Sequence, residues 1–447
     1  MTRLLVVGGG AAGMSAASRA KRRQPNLDVT VVEAGGAISY SACGMPYWLG
    51  GIVPGDRDTL IVVSAQEARE DRGLDVRLDT RVESIDHDAR IAVLGHDGGT
   101  SELDYDRLVL ATGAAAQMPF NADGVEGVFS LRHLDDGVRA KAYVDAHKPA
   151  SALVVGGGFI GLEMAEAFVQ RGIKTTLIHS RDALMNGVLD EDLGAQLKEA
   201  VEAAGVRLVT GARAQAVSGS DGRVVVQAGG ESFEAGVAVV GVGAAPRNEL
   251  ARSLGCPVGP AGALMVDASL ATGVPDVWAC GDAVAVTHKV TGKAMFLPLA
   301  LHANRMGRIA GANATAGSEG FPGVLGTTIT RFFATEVAVT GLTQEAAAQA
   351  GFDAVVATIK SGSKAKYFPE SQKLQARIVA EAGSGRVLGA QIIGGHGTAK
   401  RIDTMAAALW MGATCADVEN FDLAYAPPFS PVWDPWAIAA RLAGRKI

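Results

Sequence analysis

The sequence predicts an α/β protein built around two similar strand–turn–helix–strand units. The first observation is an internal repeat, because Val6–Gly13 (VVGGGAAG) recurs as Val154–Gly161 (VVGGGFIG), 148 residues further along the chain. The second is the context of each copy, which follows an apolar run typical of a buried strand and opens a helix-like stretch. The third is composition: 57 of the 447 residues are glycine and 48% are hydrophobic, which favours a folded chain and excludes disorder.

Each unit is predicted to consist of a strand, a helix and a second strand. Apolar, β-rich runs mark the strands, and a helix-like stretch follows each glycine turn. The predicted ranges are Leu4–Val7, Ala11–Arg23 and Asp28–Glu33 in the first unit, and Ala152–Val155, Phe159–Arg171 and Thr175–His179 in the second.

Both turns carry the pattern G-x-G-x-x-G, which is typical of dinucleotide-binding sites when it joins a strand to a helix. The first glycine permits the turn, the second lets a pyrophosphate touch the backbone, and the third lets helix and strand pack closely. The phosphate then faces free N–H groups at the helix N-terminus. The sequence therefore predicts two Rossmann-like sites. Their predicted contact residues are Gly8, Gly10, Ala11 and Gly13 in the first unit and Gly156, Gly158, Phe159, Ile160 and Gly161 in the second.

The residue at the end of the second strand distinguishes the two sites. Glu33 ends the first unit, where a carboxylate accepts hydrogen bonds from the hydroxyls of an unphosphorylated ribose. His179 holds the matching position in the second unit and is followed by Ser180 and Arg181. No carboxylate at this position would repel a 2′-phosphate, and the Arg181 side chain can form an ion pair with such a phosphate. We therefore expect NADPH at the second site, with NADH as an alternative; the other interpretation of Arg181 is a solvated loop residue.

Charge and cysteine content exclude several other classes of protein. The chain has 41 Lys and Arg against 47 Asp and Glu, a net charge of −6, which argues against nucleic acid as a partner. No apolar run reaches the ~18 residues that span a bilayer, so we expect no membrane association. The four cysteines, Cys43, Cys256, Cys280 and Cys415, show neither metal-ligand spacing nor a disulfide framework. We therefore expect no metal site and a reducing, cytoplasmic environment.

Further motifs resemble the FAD-dependent pyridine nucleotide-disulfide oxidoreductases over the whole chain. Thr272–Asp282 resembles the second FAD signature of that family, and the residues from Phe321 onward resemble its dimerisation domain. The resemblance implies FAD as cofactor, a homodimer, and an α+β C-terminal domain after two Rossmann-like domains. The implied domains are an FAD domain split into residues 1–113 and 246–320, an NAD(P)H domain at 114–245 and a dimerisation domain at 321–447. The resemblance assigns FAD contacts to Val82, Thr112, Gly113 and Asp282, and it places Phe159 over the flavin and Glu163 near the nicotinamide.

The segment Ser39–Tyr47 (SYSACGMPY) decides which branch of the family the chain resembles. It contains one cysteine, Cys43, where most disulfide reductases of the family have Cys-x4-Cys. This resembles the single-cysteine branch, which includes coenzyme A-disulfide reductases, NADH oxidases, NADH peroxidases and persulfide reductases. One cysteine cannot close an internal disulfide, so the second sulfur or oxygen must come from outside. Gly44 and Pro46 predict a helix start just after Cys43, which would favour the thiolate.

Two features of the resemblance favour coenzyme A (CoA) disulfide as the substrate. Oxidases and peroxidases of the branch have a histidine where this chain has Ala11, so the expected helper of a sulfenic acid is absent. CoA-disulfide reductases use two tyrosines from the partner subunit, and these match Tyr367 and Tyr425. The resemblance places CoA contacts at Ser15, Arg19, Arg22, Ser39 and Ala42, the last where several CoA enzymes have asparagine.

The implied reaction passes a hydride from NAD(P)H to FAD and then reduces a mixed disulfide between Cys43 and CoA, so that one CoA disulfide yields two CoA thiols. Tyr425 and Tyr367 are expected beside the leaving sulfur. Three alternatives stay open. They are a CoA-persulfide or polysulfide reductase with the same Cys43, an NADH oxidase or peroxidase with a Cys43 sulfenic acid, and a non-catalytic FAD-binding redox sensor in which Cys43 is dispensable.

Overall fold

The computed structural model describes residues 2–122 and 124–447. Strands and helices alternate through the first half of the chain, as the repeated units predict. In chain order the elements are β1 (Arg3–Val7), α1 (Ala11–Arg23), β2 (Asp28–Val32), α2 (Met45–Leu49), α3 (Ala65–Glu70), β3 (Asp75–Arg77), β4 (Arg81–Asp86), β5 (Ile91–His96), β6 (Gly99–Asp104), β7 (Arg107–Leu110), β8 (Ala114–Ala116), β9 (Val128–Ser130), α4 (Leu134–His147), β10 (Ser151–Val155), α5 (Phe159–Gln170), β11 (Lys174–Ile178), α6 (Glu191–Ala203), β12 (Arg207–Val209), β13 (Ala214–Ser220), β14 (Arg223–Ala228), β15 (Glu231–Ala235), β16 (Val237–Val240) and β17 (Ala244–Pro246).

The second half begins with short elements and ends in a run of long antiparallel strands. Its elements are α7 (Glu249–Ser253), β18 (Val277–Ala279), β19 (Ala285–Thr287), β20 (Ala294–Phe296), α8 (Ala300–Asn313), β21 (Thr328–Phe332), β22 (Thr335–Gly341), α9 (Gln344–Ala350), β23 (Ala354–Gly362), β24 (Lys373–Glu381), β25 (Val387–Gly394), α10 (Ile402–Met411), α11 (Cys415–Glu419) and α12 (Pro435–Gly444).

The first sheet is parallel, with the strand order β18-β7-β1-β2-β3. Leu5 of β1 lies between Thr30 of β2 and Leu108 of β7. Residues 4–7 are all buried, as expected for a central parallel strand that is covered on both faces. On one face α1 packs against α8, and a Cβ at Gly307 or Gly311 would overlap backbone atoms of α1. The late strand β18 therefore brings the C-terminal half of the chain back to the first glycine turn.

The second sheet repeats this architecture with the order β12-β11-β10-β16-β9. Leu153 of β10 lies between Thr176 of β11 and Ala238 of β16. One face carries α5 and α6, and the antiparallel β13-β14-β15 ribbon covers the other face through a separate apolar cluster that includes Phe233. The two glycine turns thus lie at equivalent places in two similar sheets.

The third sheet is antiparallel, with the order β21-β22-β25-β24-β23. Helices α10 and α12 cover one face, where Trp436, Ile378, Ile392 and Met405 are fully buried. This arrangement of strands followed by helices is the α+β part that the resemblance implied.

A buried ion pair joins the second and third sheets. Arg377 of β24 is 6% exposed, and its Nη1 lies 2.9 Å from Asp190 Oδ2, at the start of α6; Arg377 also pairs with Asp192. Gln391 Nε2 donates to the same Asp190 oxygen at 2.7 Å. Because a buried charge is costly without its partners, this network fixes how the helices of the second sheet meet the third.

The elements of both repeated units confirm the predictions to within about one residue. The first helix has the predicted range, and the second ends at Gln170 rather than Arg171.

Within the described ranges, no helix is both long and apolar enough to cross a bilayer. The same residues contain no group of three or more His, Cys, Asp or Glu that is arranged to hold a metal ion.

Candidate functional site

The first glycine turn leaves room for a phosphate beside the N-terminus of α1. Gly8 has φ +104°, a left-handed value that favours glycine, and a Cβ there would overlap the carbonyl oxygen of Ala111. A Cβ at Gly13 would overlap the carbonyl oxygen of Gly8, so the third glycine lets α1 pack on the turn. At Gly10, by contrast, a Cβ would meet nothing within 4 Å. No side chain caps α1, so free N–H groups border this open space, which fits a pyrophosphate.

Glu33 follows β2 and is held against the same turn. Its Oε2 accepts a hydrogen bond from Gly9 N–H at 2.7 Å, and its Oε1 accepts one from Gly35 N–H at 2.8 Å. A carboxylate oxygen has two lone pairs, so each oxygen keeps one for a ribose hydroxyl. Glu33 therefore fixes the turn and can still bind an adenosine ribose.

Asp282 lies beside the start of α1. The preceding Gly281 packs on that helix, since a Cβ there would lie 2.7 Å from Ala12 Cβ. The Asp282 carboxylate is ion-paired with Arg132, whose Nε also donates to the Ala114 carbonyl oxygen at 3.0 Å. Sequence reasoning missed Arg132, because it stands 150 residues away from Asp282 and belongs to no motif.

Thr112 and Gly113 lie where the first sheet connects to the second. Thr112 Oγ1 donates to the Arg247 carbonyl oxygen at 2.6 Å, and Arg247 N–H donates to the Gly113 carbonyl oxygen at 2.9 Å. The outgoing and returning segments of the chain therefore lie side by side. Val82, also predicted to contact FAD, is buried in β4 against the core of the first sheet.

The second glycine turn has the geometry of the first. Gly156 has φ +112°, and a Cβ there would overlap the carbonyl oxygen of Gly241. A Cβ at Gly161 would overlap the Gly156 carbonyl oxygen, whereas one at Gly158 would meet nothing within 4 Å. Helix α5 also has no side-chain cap. This turn therefore fits a second pyrophosphate.

A cavity of about 310 Å³ lies against the second turn, and Gly156, Ile178 and Ser180 are among the residues that line it. It is at the carboxyl ends of β10 and β11, where open parallel sheets bind nucleotides. Phe159 and Ile160 begin α5 beside this turn and are half-buried. The position of the cavity fits the adenosine half of NAD(P)H.

His179 uses both of its ring nitrogens within the second unit. Nδ1 accepts a hydrogen bond from Gly157 N–H at 3.1 Å, which places the ring proton on Nε2; Nε2 then donates to the Ala183 carbonyl oxygen at 3.1 Å. Burial lowers the pKa of His179 more than its bond to Ala183 raises it, and the Arg181 charge lowers it further. His179 is therefore neutral and has no donor or acceptor left for a ribose. Arg181 itself is exposed.

Cys43 lies in a short 3₁₀ turn, Ala42–Gly44, that leads into α2 as predicted. It is exposed, whereas Cys256, Cys280 and Cys415 are buried, and all four thiols are free. Cys43 is therefore the thiol that an external sulfur can reach.

The structure raises the pKa of Cys43, although its helix start predicted the opposite. Desolvation by the surrounding protein is the largest cause, followed by the negative charges of Glu163 and Asp282, while Arg132 acts in the other direction. Helix α2 has only five residues, so its dipole is small against these effects. These surroundings favour the thiol over the thiolate.

Glu163 lies on α5, between α2 and the third sheet. The Tyr47 hydroxyl donates to Glu163 Oε1 at 3.5 Å, and the Thr330 hydroxyl donates to the same oxygen at 3.4 Å. Burial raises the pKa of Glu163 to about 7, against the lowering effect of these two hydrogen bonds. Glu163 therefore gains and loses a proton near neutral pH, at a position from which its charge acts on Cys43.

Tyr367 and Tyr425, distant in sequence, lie together at the surface of the third-sheet region. The two phenol groups interact, and desolvation together with the contact to Tyr367 raises the pKa of Tyr425. Ala365 N–H donates to the Pro427 carbonyl oxygen at 3.2 Å, which joins the two loops. Tyr367 is 76% exposed and Tyr425 is 45% exposed, so the pair lies at the surface and does not pack in the core.

Arg401 holds the two tyrosine-bearing loops in place. Its Nη2 donates to the carbonyl oxygens of Ser363 and Phe429, both at 2.7 Å, and its Nη1 pairs with Asp434 at 3.0 Å. This role of Arg401 was not predicted from the sequence, because its partners lie 28 to 38 residues away and no sequence motif connects them to it.

Three of the residues predicted to contact CoA lie on α1. Ser15 Oγ donates to Asn304 Oδ1 of α8 at 2.9 Å, and Arg19 pairs with Glu319 at 2.6 Å. Arg22 is exposed. The pairing of Arg19 was not predicted, and it leaves Arg22 as the more open of the two cations.

The other two predicted CoA contacts, Ser39 and Ala42, precede Cys43 in the same loop. Ser39 N–H donates to the Gly9 carbonyl oxygen at 2.9 Å, and its carbonyl oxygen accepts from Val62 N–H at 2.8 Å. Ala42 is half-buried in the 3₁₀ turn. Ser39 thus ties the loop of Cys43 directly to the first glycine turn.

Comparison with known proteins covers nearly the whole chain. Residues 2–311 match the family model described as pyridine nucleotide-disulphide oxidoreductase, and residues 327–435 match its dimerisation domain. The chain is 35% identical over 443 residues to an NAD(P)H coenzyme A polysulfide/persulfide reductase of Pyrococcus horikoshii, covering 98% of each chain. It is 30% identical over 438 residues to a coenzyme A disulfide reductase of Staphylococcus haemolyticus, covering 96% of each. An NAD-dependent persulfide reductase from A. fulgidus matches the structure with a TM-score of 0.96 at 34% identity, covering 100% of this chain and 83% of the other.

Proposed function

This chain belongs to the pyridine nucleotide-disulphide oxidoreductase family, and we propose that it uses NAD(P)H to reduce a sulfur–sulfur bond carried by CoA. The observation that carries the proposal is the solitary exposed thiol of Cys43, with the other three cysteines buried. Since no second thiol of the chain is available to it, Cys43 must take its partner sulfur from a soluble molecule.

The chemistry that FAD supplies when bound is two-electron transfer between NAD(P)H and a disulfide. Gly10 leaves space for its pyrophosphate at the start of α1, and Glu33, held by Gly9 N–H, would accept hydrogen bonds from its ribose. Asp282, oriented by its ion pair with Arg132, would hold the ribityl chain. The open glycine position and the two anchored carboxylates support this assignment.

Cys43 acts as the nucleophile of the sulfur chemistry. Its thiolate attacks CoA disulfide, so that a Cys43–CoA sulfur–sulfur bond forms, the original bond breaks, and one CoA leaves as a thiolate. Two electrons that originate in NAD(P)H and one proton then convert the mixed disulfide into the Cys43 thiolate and a second CoA thiol. The raised pKa of Cys43 makes this cycle slow at low pH, where the thiol dominates.

Two chain segments complete the site across a homodimer. The tyrosine pair, Tyr425 and Tyr367, faces outward from one subunit, and its hydroxyls donate hydrogen bonds to the sulfur that leaves Cys43 of the other. Arg401 acts on the chemistry by positioning the two loops. The matched dimerisation domain supports this assembly.

Cationic and polar residues of α1 and of the loop before Cys43 bind the CoA nucleotide. Arg22 and Arg19 of α1 face its phosphates, with Ser15, Ser39 and Ala42 along the path to the thiol. At the second turn neutral His179 stands where the first turn has a carboxylate, which favours NADPH over NADH, and Arg181 is the sequence-predicted partner of the 2′-phosphate.

CoA disulfide is the first candidate substrate, and CoA persulfide or polysulfide is the second. The second is favoured by the relatives, because identity is 35% to the P. horikoshii polysulfide/persulfide reductase and 30% to the S. haemolyticus disulfide reductase. CoA disulfide and CoA persulfide give the same Cys43–CoA mixed disulfide, and they differ in the leaving group, which is a CoA thiolate for the disulfide and hydrosulfide for the persulfide. Turnover with each substrate, with CoA thiol and sulfide quantified separately, decides between them.

Substitution of the nucleophile tests the proposal as a whole. We expect Cys43→Ser to keep its bound FAD and the reduction of that FAD by NADPH, and to lose CoA-disulfide turnover by about a thousandfold. Cys256→Ser, at a buried thiol, is the matched control and should keep turnover. Undiminished turnover in Cys43→Ser would refute the assignment.

Intact mass separates the proposed chemistry from that of an oxidase or peroxidase. A loss of one CoA per chain on adding reductant supports the mixed disulfide. An oxygen-sized adduct on Cys43, together with rapid NADH consumption by oxygen or peroxide, would instead indicate a sulfenic acid enzyme.

A further inference from the structure

The cavity at the second glycine turn has one charged residue in its wall. Its lining includes Gly156, Ile178, Ser180, Val242 and, from the loop before β13, Arg213. The remaining lining residues, which are Val155, the segment 117–119 and the two neighbours of Arg213, carry no charge. A ligand seated here at the end of β11 therefore meets a single guanidinium.

Backbone hydrogen bonds hold the Arg213 loop against the end of β11. Ala212 N–H donates to the His179 carbonyl oxygen at 3.0 Å, and Gly211 N–H donates to the Arg181 carbonyl oxygen at 3.1 Å. On its other side the Arg213 carbonyl oxygen accepts from Gly229 N–H at 3.3 Å. These hydrogen bonds hold the loop beside Ser180, so the backbone of Arg213 has a fixed position in the cavity wall.

The charge of Arg213 is not committed elsewhere. Among the described residues its guanidinium makes no ion pair and no side-chain hydrogen bond. An acid, Asp182, lies beside this loop, with Oδ1 3.1 Å from where a Cβ of Gly211 would lie, and it does not line the cavity. Arg181 is also exposed, but it too is absent from the lining.

We infer that Arg213 binds the 2′-phosphate of NADPH, together with the hydroxyl of Ser180, and so sets the choice of nicotinamide nucleotide. An arginine presents several donors in a planar fork that suits phosphate oxygens. The usual strand-end residue cannot take part, because both nitrogens of His179 are already bonded. This inference rests on the proposed NAD(P)H dependence. It assigns recognition of the 2′-phosphate to Arg213, in the loop before β13, whereas the sequence indicated Arg181, in the loop after β11.

Equilibrium binding to the FAD-loaded dimer tests the inference without turnover. The probes are 2′,5′-ADP, which carries the 2′-phosphate, and 5′-ADP, which lacks it, measured by calorimetry. We expect the wild type to prefer 2′,5′-ADP, Arg213→Ala to reduce that preference about tenfold or more, and Arg213→Lys to retain part of it. Lys174→Ala removes an exposed charge at the opposite end of β11 and should keep the wild-type preference.

Three outcomes would overturn the inference. They are equal affinity of the wild type for the two probes, an unchanged preference in Arg213→Ala, and a larger loss in Arg181→Ala than in Arg213→Ala. The test is independent of the acceptor: if the wild type reduced no CoA-linked sulfur, the proposed function would fail while the binding result stood.

Discussion

The two glycine turns share one backbone and differ in the side chain that closes each of them. In the first, a Glu33 carboxylate oxygen accepts the N–H of Gly9, and in the second, His179 Nδ1 accepts the N–H of Gly157. The same structural task is thus done by a charged group with spare lone pairs and by a neutral ring with none. The comparison teaches that geometry and charge at such a turn are set separately, so a site can change its nucleotide without changing its fold.

The helices that follow the two turns differ in the same way. Ser15 and Glu163 occupy the same position, five residues after the second glycine of each turn. Ser15 bonds to α8, whereas Glu163 bonds to Tyr47 and Thr330 and acts on the pKa of Cys43. Only the second helix therefore brings a titratable group to the sulfur site.

Replacing the second glycine of each turn, Gly10 or Gly158, with alanine should affect a different nucleotide at each site. Both positions have negative φ and no atom within 4 Å of a Cβ, so alanine is tolerated by the fold and opposes only the ligand. We expect Gly10→Ala to weaken FAD binding about tenfold or more, seen in the flavin absorbance per chain. Gly158→Ala should keep FAD and weaken NADPH binding to a similar degree. Loss of FAD in Gly158→Ala would contradict the assignment of the two turns.

Giving the second turn the acid of the first should reverse its nucleotide preference. In His179→Glu a carboxylate can still accept Gly157 N–H, as Glu33 does at its own turn, but its charge repels a 2′-phosphate. We expect the ratio of NADPH to NADH efficiency to fall about tenfold or more, measured as kcat/KM for each. His179→Gln, an uncharged acceptor, is the control and should keep the ratio. An unchanged ratio in His179→Glu would place the 2′-phosphate away from this strand end.

Neutralising Glu163, the acid on α5, should make the Cys43 thiol more reactive. Glu163, with a pKa of about 7, is ionised above neutral pH and raises the pKa of Cys43. In Glu163→Gln the pKa of Cys43 should fall, and alkylation of the reduced protein at pH 8 should be about two- to fivefold faster. Below pH 6, where Glu163 is protonated in the wild type, the difference should shrink.

Glu202→Gln, at an exposed acid of α6, provides the matched control for that experiment. It should leave the pH profile of alkylation unchanged. A rate difference in Glu163→Gln that persists below pH 6 would show that the effect is steric and does not come from the charge.

Releasing a cation of the first helix should have the smallest effect. Arg19 is paired with Glu319 at 2.6 Å, so part of its charge is neutralised. In Glu319→Gln we expect CoA to bind about two- to threefold more tightly at low salt, since a partly exposed ion pair such as this one is weak and is screened by salt. Glu345→Gln, an acid on α9, is the control. If Arg19→Ala made no difference in the Glu319→Gln background, Arg19 would not contact CoA.

The repeated units could be predicted closely because their signals are local. A positive φ at Gly8 and the close packing at Gly13 demand glycine whatever the rest of the chain does, and strand and helix periodicity lies in neighbouring residues. The late return of β18 to β7 needed the resemblance, since nothing in three strand residues specifies a partner. The domain bounds and the roles of the site residues stay predictions.

The partners of the site residues could not be predicted. Arg132 meets Asp282, Arg401 meets the two tyrosine loops, and Arg19 meets Glu319, in each case across long stretches of sequence. An ion pair leaves no periodic trace in the chain, because any of many acids of suitable exposure would satisfy it.

The sequence by itself determined two glycine turns, a lone cysteine before a short helix, and a histidine in place of an acid. Each of these is a property of a few adjacent residues and of the backbone conformation they allow. Only the tertiary structure decided that His179 is neutral, that desolvation and nearby carboxylates raise the pKa of Cys43, and that Arg213 lines the cavity at the second turn. The reason is physical: charge and protonation depend on desolvation and on groups a few ångströms away, and folding brings those groups from distant parts of the chain.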